Sequence, residues 1–164
     1  MSWQPPDSYH LQAAQGWLEL GDLVSASDEL EQITPELRAH PDVLQVRLKI
    51  YCEAKKWDYA AEVASALCKM LPDSPFGPLH LAYVLRKLDR VHDARAALLP
   101  IVDKFPDEWR ISYQLACYCC KVGDLKEALR WLEAAIDIAG KTDIRIQALD
   151  EKDLEPLWLN ISEI

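Results

Sequence analysis

Three cysteines stand within four residues, Cys117, Cys119 and Cys120 in the run Cys-Tyr-Cys-Cys, and a thiolate cluster is what a soft metal ion would need. Cys117 and Cys120 are three apart, on one face of a helix, and His80 could approach them from upstream. Yet the chain has no second Cys/His pair at zinc spacing. Its five cysteines, the other two being Cys52 and Cys68, are an odd number and read as free thiols in a reducing compartment. The expectation is therefore no metal, with Cys119 in a core and its neighbours as small fillers of a helix. Catalysis finds no better footing. His10, His40, His80 and His92 have no nucleophile, base and orienting group around them, and five scattered glycines make no phosphate loop. Neither an enzyme nor a cofactor is expected.

Recognition is the chemistry that the residue pattern favours. Phe76, Leu79, His80, Tyr83, Arg86 and Lys87 are followed by Arg110, Tyr113, Gln114, Cys117, Cys120 and Lys121, two sets in which aromatic and basic residues interleave without a carboxylate. The chain as a whole carries a net charge of −9, so this is a local inversion of sign. Rigid rings offer contact area, and Arg86, Lys87, Arg110, Lys121 and Lys49 offer charge-assisted hydrogen bonds worth about 1.5–3 kcal/mol each where desolvated. Such a surface suits an acidic or carboxylate-bearing peptide with an apolar or aromatic anchor. It does not suit nucleic acid, whose binding is driven by excess Lys and Arg.

What must position these residues is legible from residues 105–140. Asp107 is placed to cap a helix in which Ser112, Leu115, Ala116 and Cys119 form one stripe. Gly123 can take the left-handed conformation of a helix end, and Asp124 with Glu127 three residues later opens a second helix. That helix is expected to bury Leu125, Ala128, Leu132 and Ala135. The pattern recurs at an interval of 34: Ala128, Ala94, Ala60 and Ala26 fall at one place, and Ala116, Ala82, Leu48 and Ala14 at another. Four ungapped helix–turn–helix repeats result, over residues 7–40, 41–74, 75–108 and 109–142. Short side chains at the alanine place let helix axes approach to about 8 Å.

On these residues the chain resembles the tetratricopeptide repeat (TPR) family, most fully in its fourth repeat (Leu115, Ala116, Gly123, Asp124, Ala128), with Pro72 and Pro106 closing the second and third. Lys55 and Asp89 replace the turn glycine, Arg38 and Gly140 the closing proline, and Arg47 a usual leucine; Arg47 is expected to pack its stem and reach an acidic neighbour or water. The resemblance implies an all-α, right-handed α-solenoid of four repeats plus a C-terminal capping helix. It also implies that the aromatic and basic places line a concave groove, which should lie in water and bind peptide. The carboxylate clamp of chaperone-binding relatives is not matched, since Leu11, Gln15 and Val46 occupy its places.

The flanks complete the reading. Residues 1–6 form a lead with Trp3 over the first helix, and Pro35 should stop the second helix early. Either Ser74–Pro75 or Gly77–Pro78 opens the third repeat. In residues 143–164, Asp153 can cap a last helix with Leu154, Leu157, Trp158 and Ile161 on one stripe and Pro156 in its first turn. This segment either caps the array or docks elsewhere. No apolar run reaches membrane length and no signal pattern opens the chain, so a cytoplasmic protein without a membrane partner is expected. The function expected is that of an adaptor for an acidic protein segment. The alternative is a self-assembling homodimer, made through Trp57, Trp131 or Trp158, with the groove filled by a second copy or by the chain's own acidic tail (Asp150, Glu151, Asp153, Glu155).

Overall fold

A computed structural model describes the protein over residues 3–163, with the backbone alone at residues 141–143 and 161–163. Its regular structure there is helical: α1 Asp7–Glu19, α2 Leu23–Gln32, α3 Pro41–Glu53, α4 Trp57–Met70, α5 Phe76–Lys87, α6 Val91–Leu98, α7 Trp109–Lys121, α8 Leu125–Ala139, α9 Lys141–Asp150 and α10 Trp158–Glu163. Three 3-10 segments, Pro35–Leu37, Leu99–Ile101 and Lys152–Leu157, lie between them. The chain forms two compact units, Met1–Gly77 and Pro78–Ile164, divided in the first turn of α5.

The turn between paired helices is built the same way four times. Gly21 (φ 80°), Lys55 (φ 56°), Asp89 (φ 61°) and Gly123 (φ 84°) all take the left-handed conformation. Each is followed by a residue whose N–H reaches five positions back: Asp22 to the Trp17 carbonyl at 2.9 Å, Lys56 to Tyr51 at 2.8 Å, Arg90 to Leu85 at 2.8 Å, Asp124 to Cys119 at 2.9 Å. These bonds close the helix carbonyls that would otherwise be orphaned. The next helix opens on a capped N–H where the residue allows it, Asp22 accepting from Ser25 (3.0 Å) and Asp124 from Glu127 (3.1 Å). Lys56 and Arg90, at the same place, provide no side-chain cap.

In the first unit, Leu11, Ala14, Ala26, Leu30, Ile33, Val43, Val46 and Ile50 make the core, with Trp3 packed against it. The Trp3 indole N–H donates to Asp42 at 2.8 Å and its ring meets His40 edge-on. Helix α2 ends at Gln32, ahead of Pro35, and Arg38 donates to the Ile33 carbonyl (2.8 Å) and pairs with Glu31 (3.1 Å). Arg47 reaches the same Glu31 at 2.9 Å. Helix α5 opens with Ser74, whose hydroxyl oxygen accepts from the Phe76 N–H at 3.3 Å. In the second unit α6, α7 and α8 share a core with the C-terminal segment. The four alanines Ala26, Ala60, Ala94 and Ala128 are fully buried.

Three local expectations are corrected. Glu108, not Asp107, caps α7, because a turn from Phe105 to Glu108 delays the helix by one residue. Leu125 is 41% exposed, unlike Ala128, Leu132 and Ala135, because it is the first residue of α8 and its side chain leans out past the last packed turn. Asp153 caps no α-helix: Glu151 accepts from its N–H at 3.3 Å, and residues 152–157 wind as a 3-10 turn because Pro156 lacks the N–H that an α-helix through it would use. Leu154 and Leu157 are buried, Trp158 is half-buried, and the Ile161 side chain lies outside the described residues.

Candidate functional site

Helix α7 presents Tyr113, Cys117, Cys120 and Lys121 along one side, since they recur at intervals of three and four. That side was expected in water; it is covered. The 3-10 turn Lys152–Leu157 lies against α7, and α9 packs on α8 through Ile144 and Ala148. Tyr113, Cys117 and Cys120 are buried as a result, and Leu79 shares the same core with Leu154 and Leu157. The Tyr113 hydroxyl donates to the Gln147 carbonyl at 3.3 Å. The leucines of the tail supply the apolar anchor, and the covered α7 side supplies its floor.

Charges meet over this contact. Arg86, 17% exposed, pairs with Glu151 at 3.2 Å and with Asp153, while Lys121 stands 3.9 Å from Asp153. Burial works against the Arg86 charge, but Asp153 and then Glu151 outweigh it and hold its pKa above the ordinary value. The Cys117 thiol is pushed up, first by burial and then by the Glu151 charge, and the Tyr113 hydroxyl is pushed up mainly by burial. Nucleophilic chemistry is suppressed by such surroundings.

The remaining expected site residues are spread along the helices. Lys87 places its ammonium 5.3 Å from the Tyr83 ring. Arg110 is exposed, pairs with Glu108 at 3.0 Å and lies 5.1 Å from the Trp109 ring, which in turn meets Tyr113 edge-on. Gln114 accepts from the Tyr118 hydroxyl at 2.7 Å. His80 is half-buried. In the first unit, the Lys49 ammonium stands 6.0 Å from the half-buried Phe76 ring. Glu151 and Asp153 belong to the acidic tail that the sequence offered as the alternative filler of this groove, whereas Leu154 and Leu157, expected on a capping stripe, join the site as well. Among the described residues no three His, Cys, Asp or Glu side chains are placed to hold a metal ion, and no helix is long and apolar enough to cross a membrane.

Solved structures share this architecture. MamA residues 41–end from Desulfovibrio magneticus RS-1 superposes with a TM-score of 0.75 at 15% identity, covering 99% of this chain and 96% of that one. The chain has the tetratricopeptide-repeat fold. TTC0263, a thermophilic TPR protein in Thermus thermophilus, matches with a TM-score of 0.74 at 17% identity, over 94% of this chain and 82% of its own. YrrB, described as a TPR protein with an unusual peptide-binding site, gives 0.71 at 14% identity, over 89% and 75%. No protein-family model matches the sequence, and a search of curated proteins found no match. At these identities the likeness is one of fold, and the tetratricopeptide architecture leaves the ligand to be argued from the side chains.

Proposed function

We propose that the protein is a protein-interaction module, an adaptor with no catalytic role, whose α5 and α7 residues recognise an acidic segment carrying leucine anchors. In the free chain that segment is its own residues 147–157. The supporting observation is the meeting of Arg86 and Lys121 with Glu151 and Asp153 above a floor of Tyr113, Cys117 and Cys120, with Leu154 and Leu157 inserted. The ligand class follows from that contact: two carboxylates two positions apart, then leucines. An external partner of the same kind would compete with the tail for Arg86 and Lys121, while Lys87 and Arg110 stay accessible for its flanks. The peptide-binding description of YrrB is consistent with a recognition role for this architecture.

The test uses the full chain and a labelled peptide copying residues 147–160. The double variant Glu151→Gln/Asp153→Asn weakens the internal competitor and should bind the peptide saturably, more tightly than wild type does. Adding Arg86→Glu should abolish that binding. Peptide capture insensitive to Arg86→Glu would contradict the reading.

A further inference from the structure

The floor beneath the acidic tail contains a pair of thiols. Cys117 and Cys120 stand at Cys-x-x-Cys spacing in the last turn of α7, and both are free cysteines. They are buried, 4% and 7% exposed, under the 3-10 turn Lys152–Leu157. Tyr113, one turn before Cys117, ties the same cover down through the Gln147 carbonyl. Arg86 grips that cover by Glu151 and Asp153. Whatever frees these two carboxylates therefore uncovers the thiols as well.

The contact also sets the chemistry of Cys117. Burial first, then the Glu151 and Asp153 carboxylates, hold its thiol protonated, while Arg86 pulls the other way. Glu151, Asp153 and the burial they bring leave together with the tail. Arg86 belongs to α5 and Lys121 to α7, so both cations stay. The titratable neighbours left on α7, Tyr113, Tyr118 and Cys120, are uncharged near neutral pH, since burial raises each of them. An uncovered thiol beside a guanidinium ionises more readily than an ordinary cysteine. The Cys120 thiol is held up by burial, then by Cys119 and Asp153, with no counter-pull from Arg86. The pair is thus unequal, with Cys117 the better nucleophile.

We propose that Cys117 and Cys120 are a peroxide-oxidisable dithiol guarded by the acidic tail, closed while residues 147–157 are docked and opened when a partner displaces them. This rests on the recognition role proposed above for α5 and α7. Once uncovered, the Cys117 thiolate attacks one oxygen of hydrogen peroxide, the O–O bond breaks, hydroxide leaves, and Cys117 becomes a sulfenic acid. The Cys120 sulfur then attacks the Cys117 sulfur, the S–O bond breaks, and the departing oxygen leaves as water with the Cys120 proton. The product is a Cys117–Cys120 disulfide, and the electron pair lost by the sulfurs has reduced the peroxide. Helix geometry sets Cα atoms three residues apart at about 5 Å, within the span of a disulfide. Because the pair lies in the last turn, drawing the sulfurs together disturbs only the end of α7.

Hydrogen peroxide added to the reduced full chain at about pH 7 tests this, with oxidation mapped by mass spectrometry and residues 147–157 followed by hydrogen exchange. Wild type should oxidise slowly at Cys117. Glu151→Gln/Asp153→Asn should expose the tail, oxidise at Cys117 at least about tenfold faster and yield the Cys117–Cys120 disulfide. With Cys120→Ser added, the reaction should stop at a Cys117 sulfenic acid that dimedone traps. Adding Arg86→Gln instead should leave the tail exposed yet cancel most of the gain, a loss that exposure alone would not produce. A tail that is exposed without faster oxidation, or oxidation at Cys117 indifferent to Arg86→Gln, would overturn the guarded dithiol and leave the recognition reading standing. A tail still protected in Glu151→Gln/Asp153→Asn would count against recognition by charge. Adding Leu154→Ser/Leu157→Ser then frees the tail through its anchors, and unchanged oxidation of Cys117 in that variant would overturn the dithiol too.

Discussion

Arg86 on α5 and Asp153 in the C-terminal 3-10 turn form an ion pair in which both side chains are largely withdrawn from water, 17% and 13% exposed. A pair so placed is costly to break from one side, because the survivor is left charged and desolvated. Arg86→Ala should therefore lose about 3–5 kcal/mol in urea unfolding, whereas the double change Arg86→Met/Asp153→Leu, which removes both charges at similar volume, should lose far less. Equal losses in the single and double variants would mean that packing, not charge, holds the contact.

Lys55 and Asp89 occupy a conformation that glycine takes at Gly21 and Gly123. A side chain there is strained by about 1–2 kcal/mol, offset in part by the greater chain entropy that glycine surrenders on folding. Lys55→Gly and Asp89→Gly should each raise stability by up to about 1 kcal/mol, read as a higher urea midpoint at unchanged slope.

Two helical glycines should respond with opposite sign. At Gly77 a Cβ would stand 2.8 Å from the Cys68 backbone nitrogen and 3.1 Å from its Cα, so Gly77→Ala forces backbone apart and should destabilise by about 1–3 kcal/mol. At Gly16 the space is open, and Gly16→Ala should gain roughly 0.5–1 kcal/mol of helix propensity in dilute protein. Thermal melts of the two variants side by side check both signs.

The cysteines predict a one-sided pH response. Burial pushes the Cys52 and Cys120 thiols up to about 11 from an ordinary 9. Their folded-state pKa is raised, so the folded chain holds these protons more tightly than the unfolded one. The stability so gained is complete below pH 9 and drains away as pH rises through 11. Melting temperature should fall across that window, less steeply in Cys120→Ala, and iodoacetamide at about pH 8 should label native protein far more slowly than protein in urea.

The repeated elements were legible because each rests on local chemistry. Ala26, Ala60, Ala94 and Ala128 mark close helix contacts, and Gly21 and Gly123 mark the turns. Even the departures at Lys55 and Asp89 keep the turn, since the packing of the two helices dictates the backbone there. The covering of α7 was legible only as an alternative, the groove filled by the chain's own acidic tail, because it depends on residues 147–157 returning to a helix distant in sequence. A wheel drawn on α7 alone puts Tyr113, Cys117 and Cys120 on a side with no partner. Pro156 is ambiguous by itself: the first turn of an α-helix tolerates a residue without an N–H, and so does the 3-10 turn that the chain adopts. Trp131 and Trp158, candidates for self-association on sequence, pack on the core of their own unit, and Trp158 donates to the Ala148 carbonyl at 3.1 Å.

Hydrogen exchange of the full chain, wild type against Arg86→Glu, addresses the α5/α7 contact most directly. Amides of residues 147–157 should be protected in wild type and should lose that protection in Arg86→Glu, while those of α1 to α4 keep theirs. Undiminished protection of residues 147–157 in Arg86→Glu would contradict recognition of the acidic segment by its charge.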